Sequence, residues 1–203
     1  MTHLPAGPFD LILCDPPLYF DTWSSKGEGR SPQRKYRCMA LPDLLAMPVA
    51  EIAAPDAILA IWAYGPRLPD TLALIAGWGF SYVAIGFTWV KLDSYGKPHF
   101  GTGYYTRKGA EQLLLAKRGN GLKRHDRGVS EVILAARREH SRKPDEVAGG
   151  LERLFGDVRR LELFARTRRH GWTSYGDQLP EIETVTATRP TQCTDEPTAK
   201  QSA

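Results

Sequence analysis

The sequence predicts an α/β chain built on a doubly wound, mainly parallel sheet with helices on both faces. Three observations carry that expectation. Short apolar runs at residues 11–14, 57–62 and 82–90 have the length and bulk of strands, and the segments between them carry helical start and stop signals. The runs therefore alternate strand, helix, strand, helix, strand, which is the order of a wound sheet and not of consecutive hairpins. The chain's 203 residues, 42% hydrophobic and 25% charged, suffice for one well-buried domain of ordinary globular composition.

The first strand, Leu11-Ile12-Leu13-Cys14, is stopped by Asp15-Pro16-Pro17. Both prolines hold φ near about −65° and push their predecessors toward extended geometry, so the carbonyls of Asp15 and Pro16 point in fixed directions. A fixed carbonyl beside a fixed carboxylate is a double acceptor, suited to the two N–H donors of an exocyclic amine. In an open α/β sheet the carboxyl end of a strand is also where ligands bind. An ordinary Pro-Pro turn explains the segment equally well.

Residues 21–38 have no hydrophobic period and read as a long loop. In it Trp23 and Tyr36 interleave with Lys26, Arg30 and Arg34, a mixture suited to stacking on bases and pairing with phosphates, although a solvated loop has the same composition. Leu41-Pro42-Asp43 starts a helical reading whose apolar face is Leu44, Leu45, Val49 and Ile52. A second strand at 57–62 and a helix at 69–77, stopped by Gly77 and Gly79, precede the strand at 82–90.

Residues 91–105 are a second irregular stretch, with Lys97, His99, Gly101-Thr102-Gly103 and Tyr104-Tyr105. After a strand at 112–117 comes a basic loop containing Lys123, Arg124, His125 and Arg127, which reads either as solvated surface or as a nucleic-acid contact. A strand at 132–136 leads to a helix from Pro144 to about residue 154, with acids in its first turn, and then to a strand at 160–164. Residues 172–179 close the domain. From Pro180 to residue 203 the chain is rich in Thr, Pro and Gln and reads as a disordered tail.

The net charge of +4 and pI near 9.0 favour a polyanionic partner weakly. Three widely spaced cysteines argue against a disulfide framework or a structural zinc site. With no apolar stretch approaching the ~20 residues of a membrane span and no signal-peptide pattern, the expectation is a soluble, cytoplasmic protein without membrane contact.

Taken in order, several pieces resemble the MT-A70 family of adenine methyltransferases. They are Asp15-Pro16-Pro17, Trp78-Gly79-Phe80, Trp89-Val90-Lys91, Gly101-Thr102-Gly103-Tyr104, Lys143-Pro144-Asp145-Glu146, Leu161-Glu162-Leu163-Phe164-Ala165-Arg166, Gly171-Trp172 and Gly176-Asp177-Gln178-Leu179. The resemblance covers nearly the whole domain. It implies a Rossmann-like fold that uses S-adenosylmethionine, with the catalytic motif first in the chain and the cofactor motifs late. It also implies a domain over residues 1–179, transfer to the 6-amino group of adenine in nucleic acid, and no metal.

Carried over position by position, the resemblance makes Asp15 and the Pro16 carbonyl the orienting acceptors for the target amine, with Pro17 fixing the turn. It gives Lys143, with Ser141 close by, the cofactor carboxylate. Phe164 and Arg166 match the motif that holds the cofactor ribose, and Gly176, Asp177 and Gln178 match the closing cofactor motif. Asp15 also borders the cofactor. The family usually has an aromatic residue where this chain has Leu18, which leaves Tyr19 to stack on the base, and Ala165 replaces the family glycine. DNA is expected ahead of RNA, on the small size of the chain. A homodimer or a pairing with another methyltransferase fold follows from the family habit. The rival expectation is a catalytically silent nucleic-acid-binding or scaffold subunit.

Overall fold

A computed structural model describes residues 3–19, 38–138 and 142–179. The order of elements is β1 (Phe9–Cys14), α1 (Leu41–Leu45), α2 (Val49–Ile52), β2 (Ala53–Ala63), α3 (Leu68–Gly77), β3 (Ser81–Leu92), β4 (Ala110–Arg118), β5 (Val132–Ala136), α4 (Glu146–Phe155), β6 (Arg160–Leu163) and β7 (Thr173–Tyr175). The seven strands form one sheet in the order β5-β3-β4-β2-β1-β6-β7. Parallel pairing joins β2 to β1, β1 to β6, β6 to β7 and β3 to β5. Only β4 runs against its neighbours, β2 and β3. The expectation of a mainly parallel Rossmann-like sheet holds, with one reversed strand that periodicity does not reveal.

Both faces are covered over the middle of the sheet, as parallel strands require. On one face Ile12, Leu59, Ile61 and Leu161 pack with Leu44, Val49, Leu74, Ile75 and Trp78 from α1, α2 and the region of α3. On the other, Leu11, Leu13, Ala60 and Trp62 meet Val147, Ala148 and Leu151 of α4. Gly150 allows that second contact to close, because a Cβ there would sit 2.7 Å from Cζ of Phe87.

Two indole N–H groups tie elements together across the chain. Trp78 donates to the Leu44 carbonyl at 2.9 Å, and Trp89 donates to the Ala135 carbonyl at 3.0 Å. The single helical stretch expected across 41–52 is two short helices, α1 and α2, because Pro48 stands as the N-terminal flank of α2. Leu45, expected on the buried face, is exposed. The helix expected from Pro144 begins at Glu146, and the strand expected through Phe164 ends at Leu163. No helix among the described residues is long and apolar enough to cross a membrane.

The reversed β4 decides where the loops lie. It starts at the edge where β1, β2, β3 and β6 end, and finishes at the opposite edge. The loop after Arg118 therefore sits at the amino ends of the parallel strands, and it is pinned there by a hydrogen bond from the His125 amide to the Leu154 carbonyl at the end of α4. Cys14 is level with Ile61 and Ile61 with Leu114, so Asp15 stands near the level of Leu113, and β4 runs about 17 Å past it before the loop with Lys123, Arg124 and Arg127 begins.

Candidate active site

Asp15 leaves the carboxyl end of β1, the strand with β2 and its α1–α2 connection on one side and β6 on the other. Chain order reverses between β1 and β6, and a cavity of about 840 Å³ opens there. It is lined by Leu13 and Asp15 from β1 and its end, Trp62 from β2, Val147 and Ala148 from α4, and Glu162 and Phe164 around β6. Lys143, Arg166 and Gln178 also reach it. A smaller adjoining pocket is lined by Asp15, Pro16, Pro17, Phe164, Arg166, Asp177 and Gln178. Thus Asp15 and the two prolines converge with Lys143, Phe164, Arg166, Asp177 and Gln178 from distant parts of the chain.

The turn after β1 is anchored on both sides. The Leu18 amide donates to the Pro16 carbonyl at 2.8 Å, and the Tyr19 and Met39 amides close a short bridge at 2.9 and 2.8 Å. A carbonyl has two acceptor sites, so Pro16 keeps one for a ligand. Leu18 is buried among the core residues of the α1–α3 face, whereas Tyr19 is 45% exposed. Leu18 is thus a packing residue, and only Tyr19 of the pair can present a ring to a ligand.

Charged side chains form a chain leading away from Asp15. The Lys143 ammonium lies 3.0 Å from Oδ2 of Asp15 and 3.2 Å from Oε2 of Glu111, and it sits over the Trp62 ring. Glu111 also pairs with Lys91. Burial opposes the charge on Glu111, but Lys143 and Lys91 outweigh it and hold the carboxyl down at about 2. Burial likewise opposes the charge of Lys143, and Asp15 and Glu111 outweigh it, holding the amine well above the ordinary lysine range. An ammonium has three donors, so two carboxylates leave Lys143 one more for a third anion.

The depressed carboxyl of Glu111 has a stability consequence. Its contribution is present above the ordinary glutamate value near 4.5 and is lost as pH falls toward about 2. The stability gap between wild type and Glu111→Gln is expected to be widest at neutral pH and to shrink between pH 4.5 and 2. Urea midpoints across that range measure it, and a pH-independent gap would place the effect of Glu111 in packing alone.

On the β6 side, Arg169 pairs with Asp145 at 3.0 Å and lies 3.6 Å from Glu162. Asp145 also holds Arg138 and Arg142. Its carboxyl, at the flank of α4, makes no capping hydrogen bond to the helix and braces the arginines of the cavity wall instead. Burial raises the Glu162 carboxyl above its ordinary range against the pull of Arg169, and its buried Oε2 has no hydrogen-bond partner among the described residues. Oε2 faces Nε of Arg169 as an ion pair, and the carboxylate's place on the cavity wall suits a ribose hydroxyl as donor.

The turn after β6 explains the alanine at position 165. Phe164 takes the left-handed conformation, with φ 59°, and Ala165 does not. The glycine of the family pattern is therefore unnecessary here. Gly176 is necessary: a Cβ would lie 2.2 Å from the Ala165 carbonyl oxygen. Gly176→Ala is expected to cost about 2 kcal/mol or more and to disturb the Asp177-Gln178 wall, as measured by urea unfolding.

Ser141, Trp23, Lys26, Arg30, Arg34 and Tyr36 lie outside the described residues. Lys123, Arg124 and Arg127 are exposed at the far edge of the sheet and are not brought together with Asp15. Sequence reasoning missed Glu111, Trp62 and Arg169 and gave Glu162 no role. The signal for Glu111 was an acid at the start of an apolar run, which points to a site only once β4 is known to run backwards.

The MT-A70 family model matches residues 9–178. Type II methyltransferase M.MunI of Mycoplasma sp is 30% identical over 195 residues, covering 88% of this chain and 81% of that protein. N6-methyladenosine RNA methyltransferase MTA1 of Cryphonectria parasitica is 35% identical over 191 residues, 86% of this chain and 53% of that protein. The N(6)-adenosine-methyltransferase catalytic subunit METTL3 of Homo sapiens is 27% identical over 180 residues, 87% of this chain and 29% of that protein.

Proposed function

The chain belongs to the MT-A70 family of adenine N6-methyltransferases, and from that premise we propose that it transfers a methyl group from S-adenosylmethionine to the 6-amino group of adenine in nucleic acid, DNA ahead of RNA. One observation carries the reading: Asp15, mounted on the Pro16-Pro17 turn, borders a cavity whose other walls carry Lys143, Glu162 and Arg166. DNA is placed ahead of RNA on the small size of the chain, which matches type II methyltransferase M.MunI over 81% of that protein's length.

The residues present fit the cofactor. A cavity of about 840 Å³ is roomy enough for it. The spare donor of Lys143 suits its carboxylate, and the Glu162 carboxylate on the cavity wall suits its ribose. Arg166, Asp177 and Gln178 complete the wall toward the smaller pocket. When bound, S-adenosylmethionine supplies an electrophilic methyl group on a sulfonium.

The remaining chemistry belongs to the chain. Adenine's amine is a poor nucleophile because its lone pair is delocalised into the ring. Hydrogen bonds from its two protons to Asp15 and to the Pro16 carbonyl draw it toward a pyramidal, more electron-rich form and aim the lone pair. Asp15 offers Oδ1 for this while Oδ2 faces Lys143. The carboxylate is 30% exposed, so the proton left over after transfer has a short route to solvent. Tyr19, exposed beside the turn, is placed to stack on a base taken out of a duplex.

Calorimetry with S-adenosylmethionine tests the reading against a silent scaffold subunit. Binding by the isolated chain, followed by labelled methyl incorporation into DNA oligonucleotides more than into RNA, is the expected result. Tight nucleic-acid binding without cofactor binding would assign the scaffold role instead.

A further inference from the structure

Glu111 stands at the start of β4, the reversed strand, and its carboxylate lies between two ammonium groups. Oε1 accepts from Nζ of Lys91 near the end of β3, and Oε2 faces Nζ of Lys143 at 3.2 Å. Nζ of Lys143 lies in turn 3.0 Å from Oδ2 of Asp15. The four half-buried side chains therefore alternate in sign, from Asp15 through Lys143 and Glu111 to Lys91.

An aromatic floor holds this series of charges in place. Nζ of Lys91 lies 5.1 Å from the centroid of the Trp89 ring, and Nζ of Lys143 lies 5.2 Å from that of Trp62. The two indoles are buried and meet edge to face at 6.4 Å, and Trp89 is fixed further by its bond to the Ala135 carbonyl. Trp89 is also the ladder partner of Glu111 across β3 and β4, and Lys91 is two residues along the same strand. The acid, the ring and the cation thus share one face of the sheet. The rings set the places of the two ammonium groups independently of Glu111.

Such a series is a poor device for stability. Desolvation of the ionised groups offsets much of what their pairing gains, and apolar side chains of similar volume often pack as stably. What alternating charges do supply is a field at the free end of the series, and that end is Asp15 beside the cavity. The Glu111 carboxyl is held down at about 2, so at neutral pH it is a constant charge and not a proton carrier.

Resting on the reading of Asp15 as the amine acceptor and Lys143 as the donor to the cofactor carboxylate, we propose that Glu111 and Lys91 are positioning residues that divide the Lys143 ammonium between the two. Neither touches a reacting atom. Glu111 draws Lys143 back from Asp15, which leaves that carboxylate free to draw on the amine. Lys91 offsets Glu111, which leaves the ammonium free for the cofactor. Opposite signs follow for the two residues. Without the Glu111 charge, Lys143 serves only Asp15 and the cofactor, so binding tightens and transfer slows. Without Lys91, Glu111 holds the ammonium more strongly, so binding weakens while transfer is kept.

The test uses the full chain carrying Glu111→Gln, Lys91→Met or both, with circular dichroism verifying the fold. Calorimetry gives Kd for S-adenosylhomocysteine, which has the cofactor's carboxylate without the sulfonium charge, and for 5′-methylthioadenosine, which has no carboxylate. Single-turnover transfer from labelled S-adenosylmethionine to DNA and RNA oligonucleotides gives the rate. Glu111→Gln is expected to lower Kd for S-adenosylhomocysteine roughly threefold and to slow transfer about tenfold, the scale of one charge changed next to Lys143. Lys91→Met is expected to raise the same Kd roughly threefold and to keep the rate within about twofold. The double variant restores the net charge of the series and is expected to bind and transfer within about twofold of wild type. Affinity for 5′-methylthioadenosine is expected to be equal in all four proteins.

Kd shifts of the same direction in both single variants, or a double variant worse than either, overturn the proposal and leave Glu111 a structural acid. So does 5′-methylthioadenosine affinity that moves with that of S-adenosylhomocysteine, since the pocket's shape and not its charge has then changed. Where Glu111→Gln does not fold, the Lys91→Met shift decides alone. A wild type that transfers methyl groups while the variants miss these expectations loses only the positioning role. Opposite Kd shifts without transfer by any protein support the division of Lys143 and overturn the transfer reading. A wild type that binds no S-adenosylhomocysteine overturns both.

Discussion

Asp15→Asn is expected to lower kcat for methyl transfer by about 10²- to 10³-fold while changing S-adenosylmethionine affinity by no more than a few-fold, the scale of losing one preorganised charge partner in an active site. The amide keeps the size of the carboxylate and can still accept from Lys143, whose contact with Glu111 at 3.2 Å is untouched. What it loses is the negative charge that draws on the amine proton. The split between kcat and cofactor binding is the informative part. Cofactor affinity falling as far as kcat would move Asp15 from target orientation to cofactor binding, and single-turnover kinetics with calorimetry distinguish the two.

The second large effect is expected from Lys143→Met. Its ammonium separates the carboxylates of Asp15 and Glu111, with the side chain only 20% exposed. Removing one member of such a buried set leaves the others uncompensated, at a cost of about 3–5 kcal/mol. Cofactor affinity is expected to fall at least tenfold with it, since a charged hydrogen bond contributes roughly 1.5–3 kcal/mol. Adding Glu111→Gln to Lys143→Met removes one of the stranded charges, so part of the stability returns. Affinity does not return, because the donor for the cofactor carboxylate is still missing. Recovery of affinity in the double variant would show that Lys143 is a structural cation and not a cofactor contact.

Much of this arrangement was legible before any coordinates. Strand runs such as Leu11-Ile12-Leu13-Cys14 and Leu161-Glu162-Leu163 carry their burial in their composition, and Asp15-Pro16-Pro17 carries its rigidity in the proline rings. The ordered motifs then supplied Lys143, Phe164, Arg166 and Gln178, which line the cavity beside Asp15. What local pattern could not supply was strand direction. Residues 110–118 read as the same apolar run whether β4 is parallel or antiparallel, because side-chain alternation has no polarity.

That one reversal controls the rest. It carries Glu111 into the site and sends Lys123, Arg124 and Arg127 to the opposite edge. It also leaves residues 93–109, with the Gly101-Thr102-Gly103-Tyr104 motif, at the same edge of the sheet as Asp15. Ala165 is a second case. By sequence alone it departs from the glycine of the family pattern, yet the left-handed residue in that turn is Phe164, so the departure costs the backbone nothing. The arginine bracing by Asp145 was hidden for a related reason: an acid at a helix start reads as a capping or dipole contact, and only the fold brings Arg138 and Arg169 to it.

The most direct test is the identity of the methylated base. Wild-type protein, S-adenosylmethionine and either DNA or RNA are incubated, the nucleic acid is digested to nucleosides, and mass spectrometry identifies every methylated product, with Asp15→Asn run in parallel. The account predicts N6-methyladenine from the wild type, more in DNA than in RNA, and none above background from the variant. Methylation confined to another base, or N6-methyladenine formed equally by Asp15→Asn, would contradict it.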